Sequence, residues 1–205
     1  MVSFLRIFPE SIILILHRFH YPQDVNAAAI QLQFFYGPCL LVSPVTEGDA
    51  TAVEIYLPED RYYDFSTLQP IDGTKSYLHL TNISFTDIPV HIRGGSIVPL
   101  RVSGANTTTE LRKKDFELLI APDTNGAAEG DLYLDDGESL VPENTSEIRF
   151  KYTEGTLKMS GTFGYDVGNV KIAKITVLGD APVVKKLDAP LTMAFNVVIK
   201  SLPAS

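Results

Sequence analysis

Much of the chain alternates between apolar and polar positions. Val53, Ile55 and Leu57 are separated by Glu54 and Tyr56, and Ile88, Val90 and Ile92 by Pro89, His91 and Arg93. Phe116, Leu118 and Ile120 repeat the pattern, as do Ile148, Phe150 and Tyr152. Towards the C-terminal end come Val170 and Ile172, then Ile175 and Val177, and finally Phe195, Val197 and Ile199. A period of two sends successive side chains to opposite faces, so each run reads as a half-buried strand. Between the runs stand Asp72-Gly73, Gly94-Gly95, Asp136-Gly137, Glu154-Gly155 and Gly179-Asp180, which supply turn chemistry. Short strands so punctuated predict antiparallel sheets folded into β-sandwiches. One stretch departs. Over residues 24–36, Ala27, Ala28, Ala29, Ile30, Leu32 and Gln33 favour a helix that Gly37-Pro38 would stop. The polar stretch 104–114 is the best linker, which puts a domain boundary at about residue 110.

Bulk properties narrow the function classes. At 205 residues the chain suits two small domains, and 45% hydrophobic content supplies cores for both. The net charge is −8 with 17 Lys and Arg, gathered only in Arg112-Lys113-Lys114 and Lys185-Lys186. Neutralising phosphates needs larger basic clusters, so nucleic acid and anionic membranes are poor partners. Cys39 is the only cysteine and sits in the apolar run 37–42, where it reads as a small buried hydrophobe rather than a reactive thiol.

Sequons begin at Asn82, Asn106 and Asn144, where chance would give about one among seven Asn; a secretory history with N-glycans at these sites is the expectation. The N-terminus offers no matching leader. The apolar stretch 12–16 is too short for a signal-peptide core or a membrane span. Residues 1–17 read as a buried strand, or as sequence foreign to the natural product.

Four segments stand out when taken in order. The first is Tyr21-Pro22-Gln23-Asp24, followed by residues 33–38 (QFFYGP) and 40–45 (LLVSPV). The second is Tyr56-Leu57-Pro58 with Tyr62-Tyr63-Asp64-Phe65 close behind. Residues 88–100 (IPVHIRGGSIVPL) form the third, and 131–138 (DLYLDDGE) the fourth. Together the four resemble the C-terminal region of glycoside hydrolase family 31, with closest likeness to fungal α/β-glucosidases, over about residues 19–179. Gln31 stands where the family usually has Asp, and the Arg-Pro pair expected before the first segment is absent in register. The resemblance implies a mainly β chain: 1–36 the end of a (β/α)8 barrel with a short helix, 37–110 a proximal β-sandwich, and 111–205 a distal one. It implies a secreted parent enzyme that hydrolyses terminal glucose residues without a cofactor. The partner would be that enzyme's catalytic barrel, with glucosides or glucans as possible ligands.

Retaining glycoside hydrolysis needs two carboxyls about 5–5.5 Å apart. The family's nucleophile lies in a Trp-containing barrel motif; this chain has no Trp, and nothing in it inherits either catalytic role. Asp135-Asp136 is the nearest substitute, but neighbours on a strand point apart, and with Gly137 they read as a hairpin turn. A calcium loop using Asp131, Asp135, Asp136 and Glu138 is the second reading, at the wrong spacing for an EF-hand. His17, His20, His79 and His91 match no metal motif, and His91 beside Arg93 suits a structural hydrogen bond. Ser43 lacks a nucleophile context, and Gly94-Gly95 marks a strand bend rather than a phosphate loop. Tyr62, Tyr63, Phe65 and Tyr77 are the aromatic residues best suited to contact carbohydrate, packing being the competing role. Three readings stand: a non-catalytic tail of an α-glucosidase-type enzyme, inactive alone; a free-standing carbohydrate-binding β-sandwich; and a fragment with no independent role.

Overall fold

A computed structural model describes residues 14–199, which fall into two compact units, 14–94 and 95–199. The first begins with β1 (Leu14–Ile15), the single-turn α1 (His17–His20), a 3₁₀ turn (Ala27–Ala29), β2 (Phe34–Tyr36) and β3 (Leu40–Val42). It continues through β4 (Ala52–Leu57), β5 (Asp60–Asp64), β6 (Pro70–Gly73), β7 (Ser76–Thr81) and β8 (Val90–Arg93). One sheet runs β1-β2-β3-β8-β5-β6, every pair antiparallel, and β4 pairs with β7 in a second. Phe35, Leu41 and Tyr62 from the larger sheet share a buried cluster with Ile55 and Leu57 from the smaller. Two sheets thus close on one core, and Tyr56, on the side of β4 that the alternation read as polar, is fully buried as well.

The helix expected over 24–36 shrinks to the 3₁₀ turn at Ala27–Ala29. Ile30 turns extended, and Phe34–Tyr36 pairs with β3 through a turn at Gly37, whose φ is +61°. Phe35 is fully buried there, a gain of about 2–3 kcal/mol that outweighs the small helical preference of the alanines. Of the N-terminal segment read as a buried strand, Leu14–Ile15 is a strand on β2, and residues 1–13 lie outside the described residues.

The second unit holds β9 (Ser96–Arg101), α2 (Thr108–Arg112), β10 (Phe116–Ala121), β11 (Ala128–Leu134) and β12 (Ser146–Thr153). β13 (Thr156–Phe163), β14 (Lys171–Val177), β15 (Val183–Pro190) and β16 (Phe195–Val198) follow. They make one sheet, β15-β14-β10-β9-β11-β12-β13-β16. β12 alternates buried and exposed without a break, and Ile148, Phe150 and Tyr152 enter a core with Phe116, Leu118, Ile120, Leu157 and Ile175. Lys185 of β15 donates to the carbonyl of Val198 in β16 at 2.7 Å, so the two outer strands come close and the sheet is nearly barrel-like. Two pairings are parallel, β10 with β14 and β11 with β9, which the all-antiparallel expectation did not include.

Of four local expectations, three resolve differently. Glu154-Gly155 is a two-residue hairpin turn with both φ positive, as read. Residues 104–114 are not a linker: Thr107 accepts from the Glu110 N–H at 3.2 Å, caps α2 and lets Leu111 bury. β9 lies on the near side of the boundary read at 110, yet it pairs from Ser96↔Ala121 to Arg101↔Phe116 and so belongs with the second unit. Asp136-Gly137 sits in the loop 135–145 rather than a tight hairpin, with Asp136 accepting from the N–H groups of Glu138 and Ser139, both at 3.0 Å. Gly137 takes a φ of +70°, which favours glycine, and a Cβ there would also meet the Arg112 guanidinium.

Candidate functional site

The unit 14–94 is held by two polar knots. Asp24, almost buried, accepts the Tyr56 hydroxyl at 2.8 and 3.0 Å and the N–H groups of Asn26 at 3.0 Å and Ala27 at 3.3 Å. Beside it Gln33 donates to the Ser43 hydroxyl at 2.8 Å and the Tyr56 carbonyl at 3.3 Å, and accepts the Tyr56 N–H at 2.6 Å. That side-chain amide does for Tyr56 what a neighbouring strand would do. Its demand fixes residues 30–36 in extended form.

The second knot joins chain segments far apart. Asp60 accepts from Arg93 Nε at 2.7 Å and from the Tyr21 hydroxyl at 2.9 Å. The Tyr21 and Tyr62 hydroxyls lie 2.8 Å apart, and the Arg93 guanidinium sits 5.3 Å above the Tyr21 ring. Burial pushes both phenols above their ordinary range, and Arg93 opposes the shift. Neither can serve as a base near neutral pH.

The histidines report the same dryness. His17 and His91 are fully buried, and Phe35 meets the rings of His17 and His20 edge-on at 5.2 and 4.7 Å. The hydrogen bond expected of His91 is not made: neither ring nitrogen has a partner among the described residues. β8 is covered on both faces at this point, with Ile92 also fully buried, so the polar side read from the alternation does not exist. Burial lowers all three pKa values, that of His17 to about 4, with His20 adding to it and the Gln33 backbone and Asp24 opposing; Arg93 adds to burial at His20, and Asp60 opposes. At His91 only Asp64 opposes burial. The folded state thus refuses protons that the unfolded chain takes up near pH 6.5. Stability is fully present above that value and falls as the pH drops from about 6.5 towards 4, by about 2 kcal/mol for His17 after solvent screening. Urea midpoints should be lower at about pH 5 than at about pH 7, and a flat profile would contradict this placement.

No pair of carboxylates converges among these groups. Asp135 faces Arg112 at 3.5 Å, whereas Asp136 turns to Ser139 and the adjoining N–H groups, which hold its pKa down at about 2. Among the described residues no group of three or more His, Cys, Asp or Glu could hold a metal ion, including the set read as a calcium loop. Ser43 is buried against Gln33; Cys39 is half-buried rather than the fully buried hydrophobe expected, and desolvation raises its thiol to about 12. Of the four aromatic residues read as sugar contacts, Tyr62 and Tyr63 have no exposed face, Phe65 is half-buried, and Tyr77 is 58% exposed. Tyr77 packs its edge on Tyr56 at 5.2 Å. Asn82, Asn106 and Asn144 are all exposed in loops. Large apolar side chains also lie open on this unit, among them Phe19, Val25, Leu32, Phe85 and Ile88.

Residues 13–98 match the Glycosyl hydrolase family 31 C-terminal domain. A probable alpha/beta-glucosidase of Arthroderma benhamiae is 56% identical over 160 residues, 78% of this chain and 18% of that protein. The chain belongs to glycoside hydrolase family 31. A probable alpha/beta-glucosidase of Aspergillus fumigatus is 52% identical over 169 residues, 82% of this chain and 19% of that protein. This family-31 chain therefore spans about a fifth of the length of the curated relatives it matches. In fold it is similar to the glucosidase II alpha subunit, with a TM-score of 0.81 at 24% identity over 93% of this chain and 26% of that one.

The family segments now have physical roles. Tyr21 and Asp24 of the first segment anchor one knot each, and Gln33 and Gly37 impose the β2–β3 hairpin. Tyr56 and Tyr62 of the second are their partners, and Arg93 of the third pairs with Asp60. Asp135 and Gly137 of the fourth wrap Arg112. These are scaffold roles.

Proposed function

We propose that this chain is the non-catalytic C-terminal part of an α/β-glucosidase-type family-31 enzyme, inactive alone, and that its two units are the proximal and distal β-sandwiches behind a catalytic barrel. The parent activity would be hydrolysis of terminal glucose residues. The high identity to two fungal proteins named as probable alpha/beta-glucosidases, confined to a fifth of their length, is the observation that carries this reading. The carboxylates support it, since each one described above is engaged in holding structure rather than aimed at a shared point. The proximal unit would present Phe19, Val25, Phe85 and Ile88 to the barrel, which explains apolar side chains that a lone unit has no reason to expose. Three exposed sequons support a secreted, N-glycosylated parent. A free-standing carbohydrate-binding module is less favoured, because two of the four candidate rings are sealed in the core.

The docking test mixes the chain with the catalytic region of a fungal relative lacking the matching segment. Co-elution in gel filtration is expected, with affinity reduced at least tenfold (~1.4 kcal/mol) by Phe19→Asp with Phe85→Asp. Unchanged co-elution of the double variant would overturn the assigned face.

A further inference from the structure

The three sequons are alike in sequence and unlike in the fold. Transfer of a glycan to Asn depends on the hydroxyl two residues further on, which is why the acceptor pattern demands Ser or Thr there. At Asn82 that hydroxyl belongs to Ser84, exposed in the loop between β7 and β8. At Asn106 it belongs to Thr108, exposed in the first turn of α2 beyond the Thr107 cap.

Asn144 differs. Its own side chain is exposed, but its sequon ends on Ser146, the first residue of β12, which is fully buried. The alternation that sends Ile148, Phe150 and Tyr152 into the core sends Ser146 the same way. Its Oγ accepts the Tyr165 N–H at 3.0 Å. Thr145 is pinned as well: its carbonyl takes the Gly164 N–H at 3.0 Å, and a Cβ on Gly164 would lie 2.8 Å from that oxygen. Ser146 pairs with Phe163 at the end of the β12–β13 ladder, and Phe163 and Tyr165 pack against the core of the second unit. Freeing the hydroxyl therefore means parting this end of the ladder and lifting two aromatic rings from the core.

We propose that Asn144 can receive a glycan only before the second unit folds, whereas Asn82 and Asn106 stay open to modification on the folded chain. In the transfer, the Asn Nδ2 bonds to the anomeric carbon of a lipid-diphosphate-linked sugar. The bond from that carbon to the diphosphate oxygen breaks, and one amide proton leaves with the lipid diphosphate. A glycan at Asn144 would thus record that transfer preceded folding. The proposal takes its cellular setting from the reading of a secreted, N-glycosylated parent; the difference among the three sites is set by burial alone.

The test supplies the transferase. The purified, unglycosylated chain is incubated with an oligosaccharyltransferase and its lipid-linked donor, and each site is read by glycopeptide mass mapping. Asn82 and Asn106 should be modified on the folded chain, and Asn144 at least about tenfold more slowly than either, because transfer there tracks the small population of opened molecules. Synthetic peptides around Asn82 and Asn144, both of them Ser sequons, should accept at similar rates. Phe150→Asp, which opens the core of the second unit, should raise transfer to Asn144 about tenfold or more and leave Asn82 unchanged. Transfer to Asn144 on the folded chain at the rate of Asn82, no rise with Phe150→Asp, or an Asn144 peptide that accepts no glycan would each overturn the proposal. Because the transferase is added, its failure and that of the secreted reading are separate results.

Discussion

Asp24→Ala is expected to lower the unfolding free energy by about 3 kcal/mol. The carboxylate accepts from three donors in the knot at the start of the unit 14–94: the Tyr56 hydroxyl, which reaches both its oxygens, and one N–H each from Asn26 and Ala27. Removing it strands a fully buried phenol without an acceptor and uncaps the 3₁₀ turn. Asp24→Asn keeps an acceptor oxygen in place and should lose roughly half as much. Urea unfolding followed by tyrosine fluorescence reads both. Equal losses would mean that charge, not hydrogen bonding, holds this end of the chain.

The second large effect belongs to Asp60. Asp60→Ala should cost about 3 kcal/mol, because Arg93 is left partly buried with its Nε unpaired and the Tyr21–Tyr62 hydroxyl pair loses its acceptor. An exposed ion pair would be worth under about 1 kcal/mol, and it is the shared burial of these four side chains that decides the larger figure. Removing both charges with Asp60→Ala and Arg93→Met should recover part of the loss, since the unpaired cation is the main penalty. A double variant less stable than the sum of the singles would show that the knot is held by something else.

Strand positions were legible wherever one face of a strand was buried and the other wet. β12 is the clearest case, its alternation surviving residue by residue. The alternation failed at His91 because β8 is covered on both faces, and a period-two pattern carries no information about that. The helix at 24–36 failed for a different reason. Alanine propensity is a weak preference, and the Gln33 amide holding Tyr56 together with the burial of Phe35 overrides it. Neither partner is near in sequence, so no local reading could supply them. The cap on α2 was visible in principle as Thr107-x-x-Glu110, but the run of threonines read as linker. The parallel pairing of β10 with β14 depends on a long connection, for which the strands themselves give no sign.

The scaffold roles of the family segments were equally hidden. Tyr62 and Tyr63 look like a sugar platform in sequence, because ring type and spacing say nothing of which face the sheet covers. Arg112, a member of a short basic run, became meaningful only when the loop carrying Asp135 and Gly137 was seen around it.

The proposed function makes one physical claim: the chain by itself brings no nucleophile and proton donor to the two sides of a glycosidic bond. A chromogenic α-glucoside incubated with the purified chain tests it directly. The predicted release of chromophore equals that of buffer alone. A rate above buffer that disappears when Asp24, Asp60, Asp135 or Asp136 is replaced by Asn, in a variant that still folds, would contradict it.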